Sequence, residues 1–226
     1  MAYAPTGQRN SAIFWGETVS DFRAVIFDMD GTLIEAKNWH FLALNEALEI
    51  FGLEIPLDDH LARFDGLPTR KKLEVLSQET GLPGNLYSII SDLKQDRTLR
   101  LIAKECFPRV EQLLLFEWLR RRHLKIAVAT NSIRLTAGQM LTSAGITKYL
   151  DAVVTNEDVA QPKPSPEIYL KTAETLGVNP QDCLVVEDNR YGVLAAETAG
   201  CAVVRVDAVE EVRIGLLEPY FQSKES

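Results

Sequence analysis

Cysteine, long apolar runs and basic charge are all scarce in this chain of 226 residues. Its three cysteines, Cys106, Cys183 and Cys201, lack metal-ligand spacing, so they predict small core residues rather than a disulfide framework. No stretch approaches the ~20 apolar residues of a membrane span, and residues 1–20 lack the regions of a signal peptide. A formal charge of -8 argues against a general binder of nucleic acid or of anionic membranes. We therefore expect a cytoplasmic protein whose partner is neither nucleic acid nor a membrane.

The composition is that of an ordinary globular protein, with 46% apolar and 25% charged residues. Residues 1–20 carry Pro, Gly, Gln and Asn, and they predict a loose tail with one docking point at Phe14 and Trp15. Basic clusters at 70–72 and 120–122 fall in amphipathic helical patterns, which indicates solvated helix faces. The sequence has no feature that defines the oligomeric state.

Five short apolar runs predict the strands of one sheet. They span 25–27, 126–129, 152–155, 184–186 and 202–206, with helical patterns between the last four. This alternation is typical of an α/β protein in which a Rossmann-like parallel sheet lies between layers of helices. We assign residues 21–36 and 107–226 to that core.

Residues 37–106 show helical periodicity and no β-branched runs. Phe41, Leu44, Leu48 and Phe51 form one apolar stripe, and breaks containing Gly and Pro follow at 66–68 and 81–84. Because this all-helical insertion follows the first strand, we predict a cap domain over the end of the sheet. A lid in that position excludes water and selects substrates.

Asp28 and Asp30 follow the first strand, one residue apart, in the sequence AVIFDMDGTL. Ligands of open α/β sheets bind beyond the carboxyl ends of the strands, so these carboxylates lie where chemistry is expected. Asp28 is placed to attack phosphorus and form an aspartyl-phosphate, and Asp30 to protonate the leaving oxygen and then deprotonate the attacking water. The alternative is an acidic turn with Asx-type hydrogen bonds, in which Asp-Gly is common.

Two later segments offer groups for a phosphate. Thr130 and Asn131 end the second strand with a hydroxyl and an amide at the start of a helix, although an ordinary helix N-cap explains them equally well. Lys163 stands between two prolines that stiffen its loop and aim its ammonium group. Its alternative is an ordinary surface lysine.

Glu187 and Asp188 close the fourth strand. Adjacent acids at a strand end repel each other unless a cation is bound. Mg²⁺ prefers octahedral oxygen coordination at about 2.0–2.1 Å and keeps waters and substrate phosphate among its ligands. We therefore predict Mg²⁺ held by Asp28, the backbone carbonyl of Asp30 and Asp188, with Glu187 as a support or alternate ligand.

The order of these motifs over residues 23–206 resembles the haloacid dehalogenase superfamily of phosphotransferases. The shared features are DxDGT, a strand ending in Thr-Asn, a lysine before a helix, and Glu-Asp after an apolar strand. The resemblance implies a Rossmann-like sheet with a helical cap and assigns the following roles: Asp28 nucleophile, Asp30 general acid/base, Thr130 phosphate-binding hydroxyl, Lys163 third-motif lysine, and Glu187 with Asp188 the acidic fourth motif. Dehalogenases of this superfamily lack the second aspartate of the first motif, so Asp30 argues against dehalogenation. Receiver domains of two-component signalling place the acidic pair first, which this sequence contradicts.

The resemblance also points to two residues of the predicted cap. His40 lies where β-phosphoglucomutase-like members place a histidine that contacts substrate, and Arg70 falls near where cap residues reach the substrate. For His40 the alternative is a partly exposed helix histidine.

The implied activity is Mg²⁺-dependent hydrolysis of a small phosphorylated metabolite, such as a sugar phosphate or phosphoglycolate, through an aspartyl-phosphate. A phosphomutase and a non-catalytic module that binds a phosphorylated ligand are the alternatives, because fold alone does not establish activity.

Overall fold

The computed structural model describes residues 22–64 and 66–221, and the predicted tail at 1–20 lies outside them. Within the described residues, five parallel strands form one sheet in the order β3-β2-β1-β4-β5. The strands are β1 Ala24–Phe27, β2 Lys125–Ala129, β3 Ala152–Val154, β4 Cys183–Glu187 and β5 Ala202–Arg205. The predicted α/β class with a Rossmann-like sheet is confirmed.

The strand order reverses between β1 and β4. The chain places β2 and β3 on one side of β1 and then returns to place β4 and β5 on the other side. Phe27 at the end of β1 is therefore paired with Val128 of β2 and with Val186 of β4. Ligands of open parallel sheets bind in the crevice that such a reversal creates. Asp28 and Asp188 follow the two strands that flank it.

Helices cover both faces of the sheet. The chain contains α1 Lys37–Glu49, α2 Leu57–Asp59, α3 Thr69–Thr80, α4 Tyr87–Glu105, α5 Val110–Arg121, α6 Arg134–Ser143, α7 Glu167–Leu176, α8 Arg190–Thr198 and α9 Ile214–Leu217. Successive strand residues point to opposite faces, so Phe27 packs with α5 and α6 whereas Ile26 packs with α7 and α8. Burial on both faces explains why the central strand β1 is continuously apolar and why the inner residues of β2 are apolar as well.

The helices between β1 and β2, here called the helical insertion, enclose a hydrophobic cluster of their own. Leu44 and Leu48 of the predicted stripe are buried in it together with Phe64. Phe51, which follows the end of α1, packs against this cluster, and the rings of Phe41 and His60 make an edge-to-face contact. A separate apolar cluster supports a cap domain, although the limits 37–106 stay a prediction.

Three sequence predictions about surface and core have mixed outcomes. The cysteines are buried free thiols, as expected. Residues 120–122 are exposed, but in the other basic cluster Lys72 is buried beside Leu73 and Leu76 on the inner face of α3. The prediction of a solvated face is therefore wrong for Lys72, because α3 turns this side chain toward the interior, where a long aliphatic stem can be buried. Among the residues that the structure describes, no helix is long and apolar enough to cross a membrane.

Candidate active site

Lys163 lies at the centre of the site. Its ammonium nitrogen is 2.6 Å from Asp28 Oδ1 and 2.9 Å from Glu187 Oε1, and its side chain is 4% exposed. The surface-lysine alternative is therefore wrong. Two prolines flank Lys163 in sequence, and α7 starts four residues later, so the loop from which Lys163 projects is fixed on both sides.

Glu187 is held by several donors besides Lys163. The hydroxyl of Tyr169 donates to Oε1 over 3.4 Å, and the backbone N–H of Asn189 donates to Oε2 over 2.7 Å. Gly192 of α8 packs directly on this carboxylate, because a Cβ atom there would lie 1.6 Å from Oε1. Both Glu187 oxygens are thus engaged by the protein, which suits a supporting role. The sequence reasoning missed Tyr169 and Gly192.

Asp188 is bound through both oxygens as well. The Thr32 hydroxyl donates to Oδ1 over 3.2 Å, and the Lys37 ammonium lies 2.6 Å from Oδ2. Thr32 belongs to the DGT part of the first motif, so a signal for it was present. Lys37 follows this motif without any pattern of its own and was not predicted.

The carboxylates of Asp28, Glu187 and Asp188 form one buried cluster, with ligand oxygens within 4.8 Å of one another. Burial, and next Glu187, raises the pKa of Asp28 well above its ordinary value, although Lys163 acts in the opposite direction. Burial and then Glu187 also raise the pKa of Asp188. Three acids of one sign in a buried space favour a bound cation, and the all-oxygen donor set fits a hard metal ion.

The carboxylate of Asp30 lies outside that cluster and has different partners. Oδ1 is 3.0 Å from His40 Nε2, while Oδ2 accepts hydrogen bonds from the hydroxyls of Ser132 at 2.8 Å and Thr130 at 3.3 Å. Burial alone would raise the pKa of Asp30, but His40 and Ser132 lower it. These partners lie 10 to 102 positions away in sequence, so the acidic-turn alternative does not account for the arrangement. The predicted metal contact of the Asp30 carbonyl stays a prediction.

His40 connects Asp30 to the helical insertion. The ammonium of Lys94 on α4 lies 3.1 Å from His40 Nδ1. A charged lysine only donates, so Nδ1 is the acceptor and the ring proton on Nε2 points to Asp30. Burial, and then repulsion from Lys94, lowers the pKa of His40, which disfavours the charged imidazolium. Lys94 was not predicted, since helical periodicity alone does not orient α4 over the sheet.

Thr130 and Asn131 are not helix caps. The N-cap of α6 is Ile133, and the helix begins at Arg134 rather than directly after the strand. The Asn131 amide donates to the carbonyl of Gly66 over 3.2 Å and accepts from the backbone N–H of Lys163 over 3.1 Å. It therefore ties the Lys163 loop to the helical insertion, and its role in binding phosphate stays a prediction.

A cavity of about 380 Å³ lies between the end of the sheet and the helical insertion. The insertion contributes Lys72 and Lys94 to the lining of this cavity, which Asp28 also borders. Arg70 also borders the cavity, but its side chain is 81% exposed and lies 3.3 Å from Glu74 on the same helix. Its predicted contact with substrate stays a prediction.

The fold and the site together define an α/β protein with a buried lysine and a buried acid cluster, of a kind that could hold a metal ion, at the reversal point of a parallel sheet. Residues 25–206 match the family described as haloacid dehalogenase-like hydrolase, and the chain belongs to this family. The predicted resemblance is thereby confirmed.

Individual relatives agree with this assignment. The chain is 34% identical over 179 residues to a phosphorylated carbohydrates phosphatase of Thermotoga maritima, covering 78% of this chain and 81% of the relative. It is 31% identical over 193 residues to a β-phosphoglucomutase of Bacillus subtilis, covering 81% and 83%. A solved β-phosphoglucomutase of Clostridium difficile has the same fold, with a TM-score of 0.76, 21% identity and coverage of 88% and 96%. The family and the phosphatase relative confirm the prediction of a phosphatase-type enzyme.

Proposed function

We propose that the protein hydrolyses a small phosphorylated metabolite in a Mg²⁺-dependent reaction that passes through an aspartyl-phosphate on Asp28. One observation carries this proposal: two carboxylates of the same motif have different environments. Asp28 lies among acids and the Lys163 ammonium, whereas Asp30 is held by His40 and hydroxyl groups. Two acids with different surroundings can take the separate roles of nucleophile and general acid/base. Burial among the other acids raises the pKa of Asp28, so a cation at the acid cluster would be needed to keep it ionised, and His40 lowers the pKa of Asp30 against the effect of burial.

Three groups would hold the metal ion: Asp28, Asp188 and the backbone carbonyl of Asp30. Glu187 supports the set, because both of its oxygens are already engaged. Hard oxygen donors suit Mg²⁺, which when bound neutralises charge on a transferring phosphoryl group.

The chain's own residues supply the remaining steps. A carboxylate oxygen of Asp28 attacks phosphorus as the bond to the leaving oxygen breaks. Asp30, which takes up a proton when the anionic phosphate binds beside it, gives that proton to the leaving oxygen. Asp30 then takes a proton from water, and the hydroxide attacks phosphorus, which releases phosphate and restores Asp28. Lys163 and Thr130 stabilise the negative charge on the equatorial oxygens.

The proposed substrate is a sugar phosphate, phosphoglycolate or a similar phosphomonoester. A cavity of about 380 Å³ is of the size that holds a small molecule. Lys72 and Lys94 give the wall formed by the insertion a positive charge that suits an anionic ligand. The phosphatase relative, named for phosphorylated carbohydrates, agrees with this class.

The test is release of inorganic phosphate from a panel of phosphorylated metabolites, with Mg²⁺ and with EDTA. Asp28→Asn keeps the shape of the nucleophile and removes its charge, so we expect turnover to fall at least about 10³-fold. Asp207→Asn, at an exposed aspartate outside the site, is the matched control and should retain activity. Full turnover in Asp28→Asn, or equal rates with EDTA, would reject the proposal.

A phosphomutase is the second candidate. The contact between His40 and Asp30 and the β-phosphoglucomutase relative favour it. A mutase must keep water from the phosphorylated enzyme until a second sugar position reacts. Interconversion of glucose-phosphate isomers without net phosphate release would decide for this activity.

A further inference from the structure

Lys37 contacts the predicted metal site but has no role in the proposed reaction. It is the first residue of α1, at the junction between the sheet and the helical insertion. Its ammonium lies 2.6 Å from Asp188 Oδ2, with the lysine side chain 32% exposed and the aspartate side chain 1% exposed. One end of this ion pair therefore faces solvent, while the other is buried.

The turn at Gly31 makes room for this contact. Gly31 has a φ of +92°, and a Cβ atom there would lie 2.4 Å from Lys37 Cε and 2.5 Å from Asp188 Oδ2. The lysine stem crosses the turn in the space that the missing side chain leaves. The contact is thus built into the backbone of the first motif, unlike an ion pair between two flexible surface groups.

Both oxygens of Asp188 are engaged, one by the Thr32 hydroxyl and one by the Lys37 ammonium. A divalent ion bound to a carboxylate at about 2 Å would approach an ammonium on that carboxylate to within a few ångströms. Repulsion between two cations at that separation is strong in a partly buried space. A metal ion and the Lys37 ammonium therefore compete for Asp188 Oδ2, since the other oxygen already accepts from Thr32.

We infer that Lys37 is an internal competitor of the divalent cation. Its ammonium occupies Asp188 and withdraws toward solvent, through the exposed part of its side chain, when a metal ion binds. Lys37 consequently weakens metal binding and stabilises the buried carboxylates when they are without metal. This inference rests on the metal assignment of the proposed function, and it adds a residue that sets metal affinity.

The experiment is titration of Mg²⁺ and of Mn²⁺ into the full chain by calorimetry, without substrate. Lys37→Met removes the charge and keeps the length of the side chain, so Kd for both ions should fall by roughly tenfold. Lys37→Arg keeps the charge and should remain near the wild-type affinity. Lys71→Met is the matched control, because Lys71 is 62% exposed and paired with Glu74, so its loss changes net charge alone. Screening makes that remote effect small, within about twofold.

Tighter metal binding by Lys37→Met cannot result from a damaged fold, because damage to the fold weakens a metal site and raises Kd. Lys37→Gln provides a second variant, and thermal unfolding with EDTA checks that both variants are folded. An unchanged or raised Kd in Lys37→Met, with wild-type binding intact, would overturn the role of Lys37 alone. If neither the wild type nor the two variants bind metal, both the role of Lys37 and the metal assignment are overturned. The turnover of Asp28→Asn tests the proposed reaction and not the role of Lys37.

Discussion

Lys163 and Asp28 form a buried ion pair in which the ammonium nitrogen lies 2.6 Å from Oδ1. The same ammonium also contacts Glu187, so one cation serves two carboxylates. Burial alone would lower the pKa of Lys163, but Asp28 and then Glu187 raise it well above its ordinary value. Lys163 therefore stays charged, and its ammonium donates hydrogen bonds to both Asp28 and Glu187.

Lys163→Met should destabilise the protein by about 3–5 kcal/mol near neutral pH, because it leaves buried carboxylates without their cation. Urea unfolding followed by circular dichroism measures the change in the free energy of unfolding. Lys171→Met is the control, since this exposed lysine of α7 pairs with Glu174 on the surface. Its cost should stay below about 1 kcal/mol.

The deficit of Lys163→Met should shrink as the pH falls. Without the lysine, the folded-state pKa of Asp28 lies still further above the unfolded value of 3.8. A raised folded-state pKa means that the folded chain binds more protons, so stability is gained on acidification and lost as pH rises. The same deficit at about pH 5 and about pH 7 would contradict this electrostatic account.

The sheet and the acids at its edge could be predicted from sequence because the signals are local. Each strand is a short run of apolar residues, and every predicted strand limit lies within one residue of the observed one. Asp28 and Glu187 end such runs or follow them directly, so the parallel arrangement alone brings them together. Lys163 was predicted from the prolines beside it.

The residues that were missed depend on how separate elements pack. Lys72 and Lys94 line the cavity because of the way α3 and α4 are oriented in the fold. Helical periodicity shows which residues share a face of a helix, but it does not show which part of the protein that face meets. Lys37 reaches an aspartate 151 positions away through space left by Gly31. Gly192 had one usable signal, because glycine inside a helix is costly and suggests a packing reason.

Gly192→Ala should be strongly destabilising. The added methyl group would lie 1.6 Å from Glu187 Oε1, in a buried place where the carboxylate is held by Lys163 and Tyr169. We expect a loss of about 3 kcal/mol or more in the free energy of unfolding, together with loss of turnover. Gly138→Ala in α6 is the matched control, because nothing lies within 4 Å of its added Cβ atom.

The control should gain stability. Alanine is preferred to glycine inside a helix by about 0.5–1 kcal/mol, so Gly138→Ala should raise the midpoint of urea unfolding. Equal effects of the two substitutions would show that helix propensity, and not contact with Glu187, decides the outcome at position 192.

Lys94 should set an alkaline limit to substrate binding. Burial lowers its pKa to about 8, and its ammonium lies in the cavity wall beside His40. As the pH rises through about 8, this wall loses a positive charge, so kcat/KM for a phosphomonoester should fall. Initial rates over a pH series measure the fall, and kcat/KM is the quantity that reports on the free enzyme.

Two variants and a control separate the charge of Lys94 from its bulk. Lys94→Arg keeps its charge above pH 8 because a guanidinium stays protonated far above that pH, so the fall in kcat/KM should move to higher pH. Lys94→Met should show a low kcat/KM that no longer changes through about pH 8. Lys104→Met, at an exposed lysine of the same helix, should keep the wild-type profile. An unaltered profile in Lys94→Met would refute the role of this ammonium.

The pH dependence of the free energy of unfolding gives an independent check on Lys94, because the pKa shift predicts the direction of the change. The folded-state pKa of Lys94, about 8, lies below the unfolded value of 10.5, so the unfolded chain binds more protons between these values. Stability should therefore rise with pH across that interval in the wild type relative to Lys94→Met. Urea unfolding of both proteins at both ends of the interval measures the difference. If the wild type instead loses stability relative to the variant, the Lys94 ammonium is held by the fold rather than disfavoured by burial, and its proposed sensitivity near pH 8 is wrong.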